Sequence, residues 1–121
     1  MNYMSIDRPD IQYATSACTK AMASPSTEDW QKMKRIVRYI KHTPKMAVRF
    51  AWQRWPDKIK MFTDSDWAGN RASRRSTTGG AMMAGFHLMR SWSKDQSSVA
   101  LSSGEAELYA ANYGAAQAIG L

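Results

Sequence analysis

The apolar residues of this chain change their period once, at Met46, and that change constrains what the chain can fold into. Before it, Trp30, Met33, Val37 and Ile40 recur at spacings of three and four, which gives a helix one apolar stripe; Lys34, Arg35, Arg38 and Lys41 fall on the opposite side. After it, Val48, Phe50 and Trp52 alternate with Arg49, Ala51 and Gln53, the two-residue period of a strand. The sequence therefore predicts a mixed α/β (α+β) architecture, helices first and strands second.

Local signals fill in the elements. Asp7-Arg8-Pro9-Asp10 reads as a helix start, with Asp7 as cap and Pro9 in the first turn, and the helix should run to about Met22. Ser24-Pro25-Ser26 breaks it. A second helix begins at Ser26 or Thr27, where Glu28 and Asp29 meet the positive end of the dipole, and ends near His42-Thr43-Pro44. A bridging strand is expected over Met46 to Gln53, then a strand from Ile59 to Thr63. A polar loop from Gly69 to Gly79 leads to a hairpin around Gly85, and an Ala-rich helix follows from Ser102. The domain boundary falls near Trp55-Pro56, dividing 1–55 from 56–121.

Charge narrows the partners. The net charge is +7, and between Trp30 and Lys60 ten Lys or Arg face one acid, Asp57. Such a stretch favours a polyanion, nucleic acid before a membrane, because no apolar run is long enough to enter lipid. The cationic side of the second helix is either a solvated surface or one that follows a nucleic-acid backbone. The single cysteine, Cys18, excludes an internal disulfide and reads as a packed side chain in a reducing, intracellular compartment, not a secreted one.

Two acidic pairs, Asp64 with Asp66 and Glu105 with Glu107, lie in stretches without Lys or Arg: residues 61–68 and 96–121 contain none. Carboxylates gathered without cations repel one another unless solvated or holding a metal, and hard oxygen ligands without a His or Cys cluster select Mg²⁺ or Mn²⁺. Ser102-Ser103-Gly104-Glu105 matches a capping box, so Ser102 and Glu105 take a structural role. Glu107, about 200° further round the helix near Ala110, Ala111, Gly114 and Ala118, is the better ligand candidate. In the strand, Phe62 and Asp64 share a side, which places Asp64 at the end of a buried face within reach of a packed helix. Asp66 joins that side only if the strand continues; otherwise it makes an Asx-type turn before Trp67-Ala68-Gly69.

These residues resemble a known family. Arg8-Pro9-Asp10-Ile11-Gln12-Tyr13-Ala14 and the stretch from Trp30 to Ile40 look like the end of the reverse transcriptase in copia-type LTR retrotransposon Pol polyproteins. Thr63-Asp64-Ser65-Asp66-Trp67-Ala68-Gly69, Arg74-Arg75-Ser76-Thr77-Thr78-Gly79-Gly80, Ser91-Trp92-Ser93-Lys94 and the stretch from Val99 to Ala110 look like that family's ribonuclease H domain, in order and spacing. The resemblance implies an incomplete ribonuclease H-like fold, a three-stranded antiparallel meander plus a helix, preceded by two helices and the bridging strand. It further implies a hydrolase that cuts the RNA strand of RNA–DNA hybrids, with Asp64 and Glu107 as catalytic acids holding two Mg²⁺ (or Mn²⁺) ions. Asp66 is a further candidate ligand.

Nucleic-acid contacts are expected from Asn70, Arg74, Arg75, Ser76 and Thr77, from Ser103 and Gly104, and from Lys34, Arg35, Arg38 and Lys41; the loop residues read equally as a polar turn. The implied setting is the cytoplasm, within a virus-like particle, or the nucleus, beside the remainder of the Pol polyprotein. The family's third acid, on the strand after the first helix, has no counterpart in these residues, so the fragment is expected to be inactive alone and to expose a strand edge through which it self-associates. The alternative is a basic nucleic-acid-binding remnant that cuts nothing, or a degenerate product that does neither.

Overall fold

A computed structural model of the chain describes residues 2–70 and 73–120. The chain divides into two compact units, Met1–Arg49 and Phe50–Leu121.

The first unit holds three helices: α1 (Asn2–Asp7), α2 (Pro9–Thr19) and α3 (Thr27–His42). The sequence predicted one helix from Asp7 to Met22. The chain instead breaks at Arg8, whose backbone is non-helical (φ −127°, ψ 81°), because the residue before a proline clashes with the proline ring in the α region. Asp7 is therefore not the cap; Arg8 holds that position without a side-chain cap bond. The Arg8 guanidinium instead donates to both oxygens of Asp10 (3.0 and 2.7 Å) and to the Thr43 carbonyl just past α3 (3.1 Å).

Helix α3 starts where its local chemistry requires. Ser26 Oγ accepts from the Asp29 amide (3.2 Å), and the Asp29 carboxylate accepts from the Ser26 amide (3.1 Å), a reciprocal capping box. Its packed face is rotated from the expected stripe. Ile36 is the buried residue, set with Ile11 and Cys18 and flanked by Ala14 and Ile40, whereas Trp30 (55% exposed) and Val37 (50%) face outward.

The second unit is a three-stranded antiparallel sheet in the order β1 (Ile59–Asp66), β2 (Thr77–Ala84), β3 (His87–Asp95), with α4 (Ser103–Ile119) packed on β1 and β2. Register pairs Asp64 with Gly79, Thr63 with Gly80 and Met61 with Met82; a bulge at Met82/Met83 shifts the β2–β3 ladder. Met82, Ala106 and Ala110 form the fully buried layer between sheet and helix.

The bridging strand expected over Met46 to Gln53 is not formed. Residues 43–57 carry no strand, because alternation supplies two faces but no ladder partner for the backbone. From Phe50 the segment is held by side chains. Gln53 Nε2 donates to the Ala84 carbonyl (2.7 Å), Gln53 Oε1 accepts from the Phe86 amide (3.2 Å), and His87 Nε2 donates to the Ala51 carbonyl (2.7 Å). This clamp onto the β2–β3 turn accounts for the division at Arg49/Phe50, upstream of the expected 55/56.

Candidate functional site

The start of α4 is tied to the end of β1. Trp67 Nε1, just beyond β1, donates to the Ala100 carbonyl (3.1 Å), shortly before α4 begins. Buried Gln96 donates from Nε2 to the Ala106 carbonyl (2.8 Å) and to Thr78 Oγ1 (3.0 Å), and Thr78 pairs with Ser65. Further along, the Cβ position of Gly114 lies 2.5 Å from Thr63 Cγ2 and 3.3 Å from Met61 Cγ. Helix α4 thus runs antiparallel to β1, its N-terminal half over the strand's carboxyl end.

That packing decides the faces of β1. Met61, Thr63 and Ser65 turn toward α4 and are half-buried; Phe62, Asp64 and Asp66 are exposed on the other side. The expectation that Asp64 shares the helix-packed face is therefore corrected: with a side-chain period of two, seating Gly114 on Thr63 sends Asp64 to the opposite face. The strand continues to Asp66, so both aspartates do share a face. No atom lies within 4 Å of the Cβ position of Gly79, the partner of Asp64, leaving open space beside that carboxylate. Asp66 folds back onto the turn: its Oδ2 lies 2.0 Å from where a Cβ on Gly69 would stand, room that only glycine leaves.

On α4 the two glutamates separate as their spacing requires. Ser102 Oγ accepts from the Glu105 amide (3.1 Å). The Glu105 carboxylate accepts from the Leu101 amide (2.7 Å) rather than from that of Ser102, and also from Tyr109 Oη (2.9 Å), so it is committed to the helix start. Glu107 is exposed. Ala106, Ala110 and Gly114 mark the buried line of α4, while Tyr109, Asn112 and Tyr113 line a cleft of about 340 Å³ with Lys94 and Asp95 of β3. At about 100° per residue Glu107 falls on the other flank, over the free edge of β1. Asp64 and Glu107 can share an ion only around that edge. Among the described residues no group of three or more His, Cys, Asp or Glu gathers to hold a metal.

The expected nucleic-acid contacts divide by burial. Ser76 and Thr77 are buried and engaged: Ser76 Oγ accepts from the Ala68 amide (3.1 Å) and Thr77 Oγ1 donates to Asp95 (3.0 Å), so their hydroxyls serve the fold. Asn70 organises the loop, accepting at Oδ1 from the Ser73 amide (3.1 Å) and at its carbonyl from the Arg74 amide (2.7 Å). Arg74, at φ +57°, and Arg75 are exposed, as are Ser103 and Gly104; Arg71 and Ala72 lie outside the described residues. In the first unit Arg35, Arg38 and Lys41 are exposed, while Lys34 lies over the Trp30 ring (5.4 Å). Sequence reasoning missed Trp67 and Gln96, whose positioning roles depend on partners 33 and 10 residues away.

No family model matches the sequence, and no solved structure matches it. Curated relatives do. The uncharacterized mitochondrial protein AtMg00810 of Arabidopsis thaliana is 37% identical over 108 residues, covering 88% of this chain and 44% of that protein. The retrovirus-related Pol polyprotein from transposon RE1 of Arabidopsis thaliana is 36% identical over 107 residues, 88% of this chain and 7% of the polyprotein. The secreted RxLR effector protein 161 of Plasmopara viticola is 33% identical over 121 residues, all of this chain and 84% of that protein. The chain thus spans less than half of AtMg00810 and a small part of the Pol polyprotein. These similarities make the chain a homologue of a short stretch of copia-type retrotransposon Pol polyproteins.

Proposed function

We propose that this chain contributes two catalytic carboxylates, Asp64 and Glu107, to a ribonuclease H that cuts the RNA strand of RNA–DNA hybrids in a retrotransposon Pol polyprotein. What supports this reading is the exposure of Asp64 near the carboxyl end of β1 and of Glu107 on the N-terminal half of α4, the half that lies over that end. Both carboxylates are exposed, neither has a basic ion-pair partner among the described residues, and the space beside Asp64 is open, a donor set that fits Mg²⁺ or Mn²⁺. Divalent ions there supply Lewis acidity for phosphodiester hydrolysis. Asp64 and Glu107 hold the charge, Asp66 keeps the turn, and Trp67 and Gln96 set the register of helix and strand. Arg74 and Arg75 of the second unit attract the hybrid's phosphates without reading bases, and Arg35, Arg38 and Lys41 give the first unit a cationic surface of its own.

The chain works inside the cell with the rest of the polyprotein, on this reading, and two carboxylates do not complete the metal shell. The test is Mg²⁺-dependent cleavage of a labelled hybrid by a version extended through the following Pol segment. Loss of at least about a hundredfold on Asp64→Asn or Glu107→Gln is expected; full activity in either variant contradicts the assignment. A second reading, a basic nucleic-acid-binding segment that cuts nothing, is favoured by the exposed Arg35, Arg38 and Lys41 of α3. Salt-dependent hybrid binding without cleavage by the extended version selects it.

A further inference from the structure

Two tryptophans of the second unit stand almost wholly in solvent. Trp52 is 90% exposed and Trp55 87%, on the stretch between Phe50 and β1. Indoles contribute strongly to burial when packed, so two left out side by side mark a surface that awaits something.

The backbone carrying them is held in place. Gln53, between the indoles, is clamped through both ends of its amide to Ala84 and Phe86, and its Nε2 also approaches His87 Nδ1 (3.0 Å). His87 in turn holds the Ala51 carbonyl and meets the Phe50 ring edge-on at 5.1 Å. Side-chain clamping leaves Trp52 and Trp55 presented with little conformational cost on binding.

Their neighbours identify the partner. Arg54 lies between the indoles, Lys58 and Lys60 follow, all three are exposed, and none forms an ion pair among the described residues. Asp57 is the one acid in the stretch. The cores of protein–protein contacts are depleted in lysine, whereas aromatic faces interleaved with cations are how unpaired nucleic acid is held, bases on rings and phosphates on cations. Two indoles three residues apart can each take one base of a strand whose bases are free to unstack. Bases in a duplex have no free face to offer.

We propose that the segment from Trp52 to Lys60 is a binding surface for a single, unpaired nucleic-acid strand, with Trp52 and Trp55 stacking on bases splayed from one another and Arg54, Lys58 and Lys60 following the phosphates. It uses neither carboxylate and does not depend on whether they hold a metal.

The test is anisotropy of the chain with labelled oligothymidylate and oligouridylate of about 20 nucleotides, beside a duplex of equal length. Trp52→Ala with Trp55→Ala should weaken single-strand binding at least about tenfold, leave duplex binding unchanged, and be largely rescued by Trp52→Phe with Trp55→Phe. Arg54→Gln with Lys58→Gln should flatten the single-strand salt slope by about 1.4. Response of both oligomers indicates a surface blind to the sugar, and response of one assigns it to DNA or RNA; either supports the proposal. It is overturned if the wild-type chain binds neither oligomer, if the alanine variant binds as tightly as wild type or loses duplex binding in proportion, or if phenylalanine fails as alanine does. It is equally overturned if the indoles are found to bury themselves in self-association of the chain.

Discussion

Gly114 of α4 sits against Thr63 of β1 so closely that a Cβ on the glycine would lie 2.5 Å from Thr63 Cγ2. This contact draws the helix onto the strand, buries the Met61–Thr63–Ser65 face, and leaves Asp64 on the other side. Gly114→Ala gains roughly 1 kcal/mol of helix propensity but overpacks this contact at about 1–3 kcal/mol. Net destabilisation is expected in urea, larger for Gly114→Val. Thr63→Ser removes the opposing methyl and should restore most of the loss in the double variant; simple additivity would show that the two residues do not meet.

The two glutamates of α4 should respond oppositely. Glu105→Ala removes the acceptor for the Leu101 amide and the Tyr109 hydroxyl, and should cost about 0.5–2 kcal/mol by denaturant unfolding. Glu107→Ala, at an exposed position, should stay within about 0.5 kcal/mol. A reversed order would put the structural role on Glu107.

Acid should loosen the first unit through Asp10. Hydrogen bonding to Arg8 holds this carboxyl at about 2, below its ordinary 3.8. A depressed folded-state value means that the ion pair stabilises fully above about pH 4 and that this contribution is lost as pH falls toward about 2. The stability difference between wild type and Asp10→Asn should therefore shrink across that window, as read by unfolding midpoints at successive pH values. A constant difference would mean that the Arg8 contact does not depend on the charge of Asp10.

On the proposed reading, Arg74→Ala with Arg75→Ala in the β1–β2 loop should weaken hybrid binding about equally across sequences and flatten its salt slope, because these side chains would meet backbone charge. Alanine carries the same left-handed strain at position 74 as arginine does, so the loop is not relaxed by the change. An unchanged slope would make the loop a connector.

What was legible in the sequence was local. The helix starts at Ser26 and Ser102 are written within four residues, as is the hairpin at Gly85, and the mixed class follows from the change of period. What was not legible depends on a partner. Alternation along β1 offers two equivalent faces, and Phe62 argues for burying the wrong one; the small surface at Gly114 decides, and no residue of the strand announces it. The pattern from Val48 to Trp52 meets every local condition for a strand but lacks a backbone to pair with. In α3 Trp30 and Val37 continue the apolar spacing outward, while Ile36, the residue that packs, lies beside the stripe. Among the site residues, Ser76 and Thr77 were drawn to substrate by their chemistry, although Ala68 and Asp95 use their hydroxyls.

On the proposed reading, Asp64 and Glu107 are ligands of the same divalent-metal site, which these two carboxylates alone do not complete. Mn²⁺ titration of the isotopically labelled chain tests this directly, since a bound paramagnetic ion broadens the amide signals nearest to it. The account predicts that residues about Asp64 and about Glu107 broaden together over the same Mn²⁺ range, that Asp64→Asn or Glu107→Gln each abolishes both effects, and that Glu105→Gln leaves them in place. Broadening about one carboxylate alone, or broadening that survives both substitutions, would contradict it.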